Sequence, residues 1–382
     1  MNRLDNTKEN LIKIVQNVFL GEEVTLDNIN IDAICNLAKY HSIEYIIYFG
    51  LKKLNIDSIP DSFKRISEVN AYKSVTQELE IPIIAKEFSK NEICFMPLKG
   101  SIMQKMYPST EYRNMADIDI LVKEEDLKKA GIALKNIGYV VDTLGGNHDT
   151  YTKKPYLHIE VHRALIDELY ELSKYYNNIW EDNRIYNDKD DKYHYYLTDN
   201  DFYIFMICHA AKHFSHGGTG FRTIIDEYIY LNNKDNLDFN YINEELKKNK
   251  LDKFEKLLRD SANYIFKHEV KDNINDVLMF IDFILSCGTY GNTKNSSTIG
   301  VIDDGSKEKH IWVRLFPPYS VMKRRNPSLK KAPFLLPWFY FTRLLKALFH
   351  FRRYKKSYDE IRNVNEDDIL RINKIKEITG VE

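Results

Sequence analysis

Pro97-Leu98-Lys99-Gly100-Ser101, followed after 15 residues by Asp117-Ile118-Asp119-Ile120-Leu121-Val122, decides how this chain is read. The first segment ends the apolar run Ile93-Cys94-Phe95-Met96. It reads as a strand, a tight turn and a helix carrying Ile102, Met103 and Met106. The second alternates apolar Ile118, Ile120 and Val122 with two aspartates, so it reads as a strand with one face in a core. Residues two apart in a strand point the same way, so Asp117 and Asp119 project together. Two adjacent carboxylates repel, and they need a shifted pKa or a cation. Oxygen ligands of this kind favour Mg²⁺.

A third strand has the same design. In Leu157-His158-Ile159-Glu160-Val161-His162 the apolar residues face one way and His158, Glu160 and His162 the other. If this strand neighbours the Asp117–Val122 strand, Glu160 joins the two aspartates. Three carboxylates can then hold two Mg²⁺ ions about 3.5–4 Å apart, the arrangement used for in-line phosphoryl or nucleotidyl displacement. Gly100 at the strand-to-helix turn lets backbone approach a phosphate, and the Ser101 hydroxyl adds a donor. Acidic Glu124, Glu125 and Asp126 open a further helix, whose apolar face is Leu127, Ala130, Leu134 and Ile137 and whose stop is Gly138. Tyr139–Val141 and His148–Thr152 read as strands. Residues 93–165 thus form a compact α/β unit.

Helical spacing dominates on both sides. Before it stand Leu11, Ile14, Val15 and Val18, then Ile31, Ile34, Cys35 and Ala38, then Val75, Leu79, Ile83 and Ile84. After it come Phe202, Phe205, Met206, Cys208 and His209, then Ile224, Ile225, Tyr228 and Ile229, then Phe254, Leu257, Leu258 and Ala262. The expected fold class is α/β (α+β), with a small mixed sheet flanked by helical regions. The expected divisions are a helical region 1–90, an α/β core 91–198, a helical domain 199–285, a flexible loop 286–310 rich in Gly, Ser, Thr and Asn, and a tail 311–382.

At these residues the chain resembles the DNA polymerase β-type nucleotidyltransferase superfamily, and within it the bacterial family of uncharacterised nucleotidyltransferases. The resemblance is carried by Leu98-Lys99-Gly100, Tyr107, Arg113, Asp117-Ile118-Asp119-Ile120-Leu121-Val122, Gly138-Tyr139 and Ile159-Glu160-Val161-His162. It is strong over 93–165. It continues in His209-Ala210-Ala211-Lys212-His213, Asp226 and Leu315-Phe316-Pro317-Pro318. The gap between Ser101 and Asp117 is longer than in minimal superfamily members and suits this subfamily. The resemblance implies a nucleotidyltransferase fold with Mg²⁺ and an NTP, ATP by default, and leaves the acceptor unnamed.

The remaining site residues have more than one reading. Lys99 meets the triphosphate or ends its strand in water. Arg113 pairs with Asp117, binds a phosphate, or forms a structural ion pair. Glu160 is a metal ligand and can also take the acceptor proton. His158 and His162 orient Glu160, act as base, or are structural. His209 and His213 have the spacing of helical zinc ligands, but Ala210 follows His209 and a third ligand is missing. Lys212 or His213 facing the nucleotide from the helical domain is the better reading. Gly217-Gly218-Thr219-Gly220 lacks the Lys-Ser/Thr of a P-loop and reads as an interhelix turn, with Arg222 and Asp226 bordering the cleft.

Composition bounds the rest. The 382 residues are 43% apolar and 29% charged, and Gly 15 and Pro 10 exclude collagenous or linker-rich chains. Cys35, Cys94, Cys208 and Cys287 are widely spaced, which fits a reducing cytoplasm. Met1–Asn10 lacks the apolar core of an export signal. The apolar stretch 332–351 contains Arg343, Lys346 and two prolines, so no transmembrane segment is expected. The formal charge of −1 conceals an asymmetry. Residues 311–356 hold 12 basic and no acidic residues, leaving 43 basic and 56 acidic residues elsewhere, a balance of −13. This tail has three readings: RNA binding, an anionic membrane surface, or packing onto the acidic body.

The function these features predict is Mg²⁺-dependent transfer of a nucleoside monophosphate from an NTP to a hydroxyl or phosphate of an acceptor, with release of pyrophosphate. The alternatives are a toxin-like transferase acting on tRNA or other RNA, and a non-catalytic nucleotide-binding interaction module. Intact Asp117, Asp119 and Glu160 argue against the last.

Overall fold

The computed structural model describes residues 4–166, 171–269, 273–349 and 351–381. The chain opens with helices α1 (Asn6–Leu20), α2 (Ile31–Tyr40), α3 (Glu44–Lys53) and α4 (Asp61–Lys90). Asp5 caps α1 by accepting from the Lys8 amide, and Gly21 ends it at φ 73°, a conformation suited to glycine. Next come β1 (Phe95–Pro97), the single-turn α5 (Gly100–Met103), β2 (Ile118–Val122), α6 (Leu127–Asn136), β3 (Val140–Thr143), β4 (His148–Lys153) and β5 (Leu157–His162). They make one mixed sheet in the order β1-β2-β5-β4-β3. A small antiparallel pair, β6 (Ile185–Asn187) and β7 (Tyr195–Leu197), follows it.

The register carries the site. β2 and β5 are parallel neighbours, with Ile118 opposite Ile159 and Asp119 opposite Glu160. One sheet face buries Ile118, Ile120, Val122, Ile159 and Val161 against Ile84 and Phe88 of α4 and Leu134 of α6. Each such side chain contributes roughly 1.5–3 kcal/mol on burial. The other face is apolar at one end, where Met96, Leu98 and Leu121 enter a second, larger core. Farther along it is polar.

That larger core joins α1–α3 to helices after the sheet: α7 (Asp199–Phe214), α8 (Arg222–Asn233), α9 (Phe239–Lys248), α10 (Asp252–Phe266) and α11 (Ile274–Cys287). His41, fully buried, links the two sides. Its Nδ1 accepts from the Phe221 amide at 3.1 Å, so its Nε2 carries the proton and donates to the Leu285 carbonyl at 3.1 Å. Burial pushes its pKa down to about 4 and keeps it neutral.

Two expectations are corrected. Of the α4 stripe Val75, Leu79, Ile83 and Ile84, only Ile84 is buried; Val75 is half-buried, and Leu79 and Ile83 are exposed. The helix instead buries Phe63, Ser67, Ala71, Ser74, Gln77, Ile81 and Ile84. Small and polar residues let the chain before β2 approach closely, and Gln77 donates to the Met115 carbonyl at 3.3 Å. Residues 286–310, expected as a loop, form α12 (Thr293–Asp304) and the start of α13 (Lys307–Leu315). Asn292 caps α12, and Ser297 and Thr298 are buried. A Cβ at Gly300 would lie 2.1 Å from the His310 ring, so these small residues serve close packing. The tail continues as α14 (Tyr319–Arg325), α15 (Leu336–Phe349), α16 (Phe351–Arg362) and α17 (Glu366–Thr379). No helix among the described residues is long and apolar enough to cross a membrane.

A buried acid in the helical core sets a pH dependence. The Tyr203 hydroxyl lies between the Glu227 and Glu255 carboxyls, donating at 2.7 Å to Glu255, which pairs with Arg259 at 2.8 Å, and hydrogen-bonded to Glu227. Burial and the neighbouring Glu255 raise the Glu227 pKa from 4.5 to about 8. A raised folded-state pKa gives stability that is complete below the unfolded value and is lost as pH rises through the folded one. Glu227→Gln keeps the acceptor and abolishes the titration. Its melting temperature is therefore expected to gain on wild type between pH 5 and 9. A constant difference across that window would refute the assignment.

Candidate active site

The turn after β1 is held to β2 by the Leu98 amide, which donates to the Asp119 carbonyl at 3.0 Å. Lys99 follows at φ 41°, a strained conformation for a residue with a side chain. Its Nζ reaches Asp119 Oδ1 at 3.3 Å. At Gly100 a Cβ would lie 2.6 Å from Met115 Sδ, so glycine lets the chain before β2 close over the turn. Gly100→Ala is expected to destabilise the fold by about 1–3 kcal/mol through overpacking, and Met115→Ala should cost less in the Gly100→Ala chain than alone, because it relieves that clash. Denaturant titration of the single and double variants measures both.

Ser101 does not reach the cleft. It is buried, and its hydroxyl donates to the Leu98 carbonyl at 3.1 Å. The expected helix is a single turn, with Met106 in a separate 3₁₀ turn.

The polar face of the sheet forms a linked cluster. Asp119 Oδ1 lies 2.7 Å from His162 Nε2, which lies 3.2 Å from Glu160 Oε2. His148, from β4, lies 3.5 Å from Glu160 Oε1 through its Nε2. Burial alone would raise the Asp119 pKa, but Lys99 and His162 outweigh it and hold the carboxyl far below its usual range. Burial alone would lower His162, but Asp119 and Glu160 outweigh it and raise its pKa. His162 in turn lowers Glu160. Asp117 behaves oppositely: burial, then the Glu160 and Asp119 charges, raise it, and Lys73 only partly offsets them. His158 is exposed.

Arg113 resolves as an ion pair with α8. Its Nε and Nη2 donate to Asp226 Oδ1 and Oδ2 at 2.7 and 2.9 Å, and the Tyr107 hydroxyl donates to Oδ1 at 2.7 Å. Beside it, Arg222 Nη1 donates to the Asn114 carbonyl at 2.9 Å. Arg222 has no carboxylate within ion-pair distance among the described residues. Burial and the Arg113 charge lower its pKa. From α7, His209 and His213 touch through their Nε2 atoms at 3.1 Å. Burial, with Lys212 and Lys99 nearby, depresses both, His213 to about 4. Lys212 lines the same space.

These groups surround a cleft of about 380 Å³ between the sheet and α7–α8. Its wall includes Lys99, Asp117, Asp119, Glu160, Lys212 and Arg222. The volume is within the range of small-molecule sites. Ligand atoms of His148, Glu160 and His162 lie within 4.8 Å of one another and can hold a metal ion. Nδ1 of both histidines is buried without a partner.

A family model described as uncharacterised nucleotidyltransferase matches residues 27–267, more than half of the chain. The chain belongs to this family. Comparison with curated proteins and with solved structures finds no match. The uncharacterised-nucleotidyltransferase segment contains every cleft residue named above and ends just after α10. The helices from α11 to α17, with the basic window, lie outside it. Within the segment, two groups had no strong sequence signal. His148 enters only because β4 pairs antiparallel with β5, setting it opposite His162. Arg222 stands out only once Arg113 is seen to occupy Asp226.

Proposed function

We propose that the chain transfers a nucleoside monophosphate from an NTP to a hydroxyl or phosphate oxygen of an acceptor. The observation supporting this is the register of β2 and β5. It sets Glu160 beside Asp119, with Asp117 close to both, on a cleft that also holds Arg222, which has no carboxylate within ion-pair distance among the described residues. Burial first, and then the Glu160 and Asp119 charges, raise the Asp117 pKa, and neighbouring carboxylates in such a setting fit a divalent cation. Asp117, Asp119 and Glu160 would hold two Mg²⁺ ions, which supply charge neutralisation on the triphosphate and acidify the acceptor hydroxyl.

The protein's own groups do the rest. The acceptor oxygen forms a bond to the α-phosphorus as the bond from that phosphorus to the bridging oxygen of pyrophosphate breaks. Glu160, ionised beside His162 and the more open of the two hydrogen-bonded carboxylates, receives the acceptor proton. Lys99 holds Asp119 in place. Gly100 lets the turn lie close to the nucleotide. Arg222, with Lys212 and His213 from the facing helices, binds the triphosphate and leaving pyrophosphate. Arg113 holds α8 against the sheet.

Purified protein incubated with Mg²⁺, each α-labelled NTP (ATP first) and extract of the source cells tests this. Products are separated into small-molecule, RNA and protein fractions, with Asp117→Asn/Asp119→Asn as control. Label in one fraction with wild type only is the expected result. NTP binding with no label in any fraction would favour a non-catalytic module.

A further inference from the structure

The basic window beyond the family segment is built as a surface with a single exposed apolar stripe. Along and just before α15, Phe334, Trp338, Phe341, Leu345 and Phe349 are 80%, 59%, 52%, 37% and 84% exposed. Their spacings of 4, 3, 4 and 4 place them on one helix face. The opposite side of α15 is docked. The Tyr340 hydroxyl donates to the Pro317 carbonyl at 2.6 Å, and its ring meets Phe316 edge-on at 5.6 Å. Arg343 Nη2 donates to the Arg314 carbonyl at 2.8 Å. The stripe is therefore held outward by packing. Trp312, also exposed, meets Phe316 at 4.5 Å with its ring tilted by 39° and adds an aromatic edge.

Around the stripe, Arg314, Lys323, Arg325, Lys330, Lys331, Lys346 and Lys355 are exposed. No acidic residue occurs from 311 to 356. We infer that this surface docks onto a bilayer containing anionic phospholipid, with α15 lying in the interface plane. At 14 residues α15 is about 21 Å long, shorter than the roughly 30 Å hydrocarbon core, so it lies on the membrane and does not cross it. Aromatic and leucine side chains enter the headgroup boundary while lysines reach the phosphates.

The chemistry favours lipid over other partners. An RNA platform combines a positively charged groove with aromatic faces on which bases stack, whereas this stripe runs along one helix face and includes Leu345, which offers no ring to a base. Protein interfaces deplete lysine, whereas among the described residues five of the seven exposed cations here are lysine. The inference does not depend on the catalytic reading.

The test is sedimentation of the full chain with vesicles of phosphatidylcholine, alone or mixed with phosphatidylglycerol. Partitioning is expected to be at least about tenfold stronger on the anionic vesicles and to weaken with salt. Phe334→Ser/Trp338→Ser/Phe341→Ser should lower it by about tenfold or more. Lys330→Glu/Lys331→Glu, which leaves the stripe intact, should reduce the preference for anionic lipid. Circular dichroism checks that both variants fold. Equal sedimentation of wild type and the triple variant would overturn the inference. So would failure to bind anionic vesicles accompanied by salt-sensitive binding of single-stranded RNA, or by a dimer in light scattering that the triple variant dissolves.

Discussion

Asp119→Asn is expected to lower nucleotidyl transfer by about 10³-fold while the chain stays folded. Asp119 is the centre of the cluster, contacting both Lys99 and His162. Asparagine keeps the shape and one acceptor oxygen but removes the charge. The loss of two charge-assisted contacts should cost about 1–3 kcal/mol of stability. The pH dependence has a definite sign. The Asp119 pKa is depressed in the folded state, so its contribution is full above the unfolded value of 3.8 and declines as pH falls below it. The stability gap between wild type and variant should therefore be widest near neutrality and shrink in acid. His162, freed from one partner, should titrate at lower pH, read from its imidazole proton resonances. Turnover within a few-fold of wild type would remove Asp119 from the proposed chemistry.

Asp226→Ala is expected to be the most destabilising single change, at about 3–5 kcal/mol by urea titration. It strands the buried Arg113 guanidinium and leaves the Tyr107 hydroxyl without its acceptor. Arg113→Lys should not be neutral, because a lysine cannot make two parallel bonds to one carboxylate. Tyr107→Phe removes one contact and should cost about 0.5–1.5 kcal/mol. A loss below about 1 kcal/mol in Asp226→Ala would mean that this cluster does not hold α8 to the sheet.

The sheet was legible because its pattern has period two and each strand's faces differ in chemistry. Asp117-Ile118-Asp119 and Ile159-Glu160-Val161 announce their faces without help from the fold. Pairing of β2 with β5 was a condition that only topology could supply. The buried face of α4 was misread because Ser67, Ala71, Ser74 and Gln77 are there for close approach, whereas hydrophobic spacing selects Leu79 and Ile83. The same confusion hid α12, whose small residues are compositionally like a loop. Arg113 was read as a partner of Asp117, a phosphate or a structural acid, and its partner Asp226 lies 113 residues away on α8, a distance that no local pattern encodes.

The shared helical core also dictates an order of events during synthesis. Lys8 meets Asp282 at 2.6 Å, Gln16 donates to the Ile265 carbonyl at 2.6 Å, and His41 reaches Leu285 across 244 residues. At ribosomal elongation rates of 5–20 residues per second, α1 and α2 emerge roughly 12–50 s before these partners exist. For that interval they pack only on each other and on α3, and the surface that meets α10 and α11 has no native cover. Helices α1 and α2 are thus where chaperones would be found. A slowed ribosome near the α10–α11 codons would lengthen their exposure, whereas slowing after α11 would not.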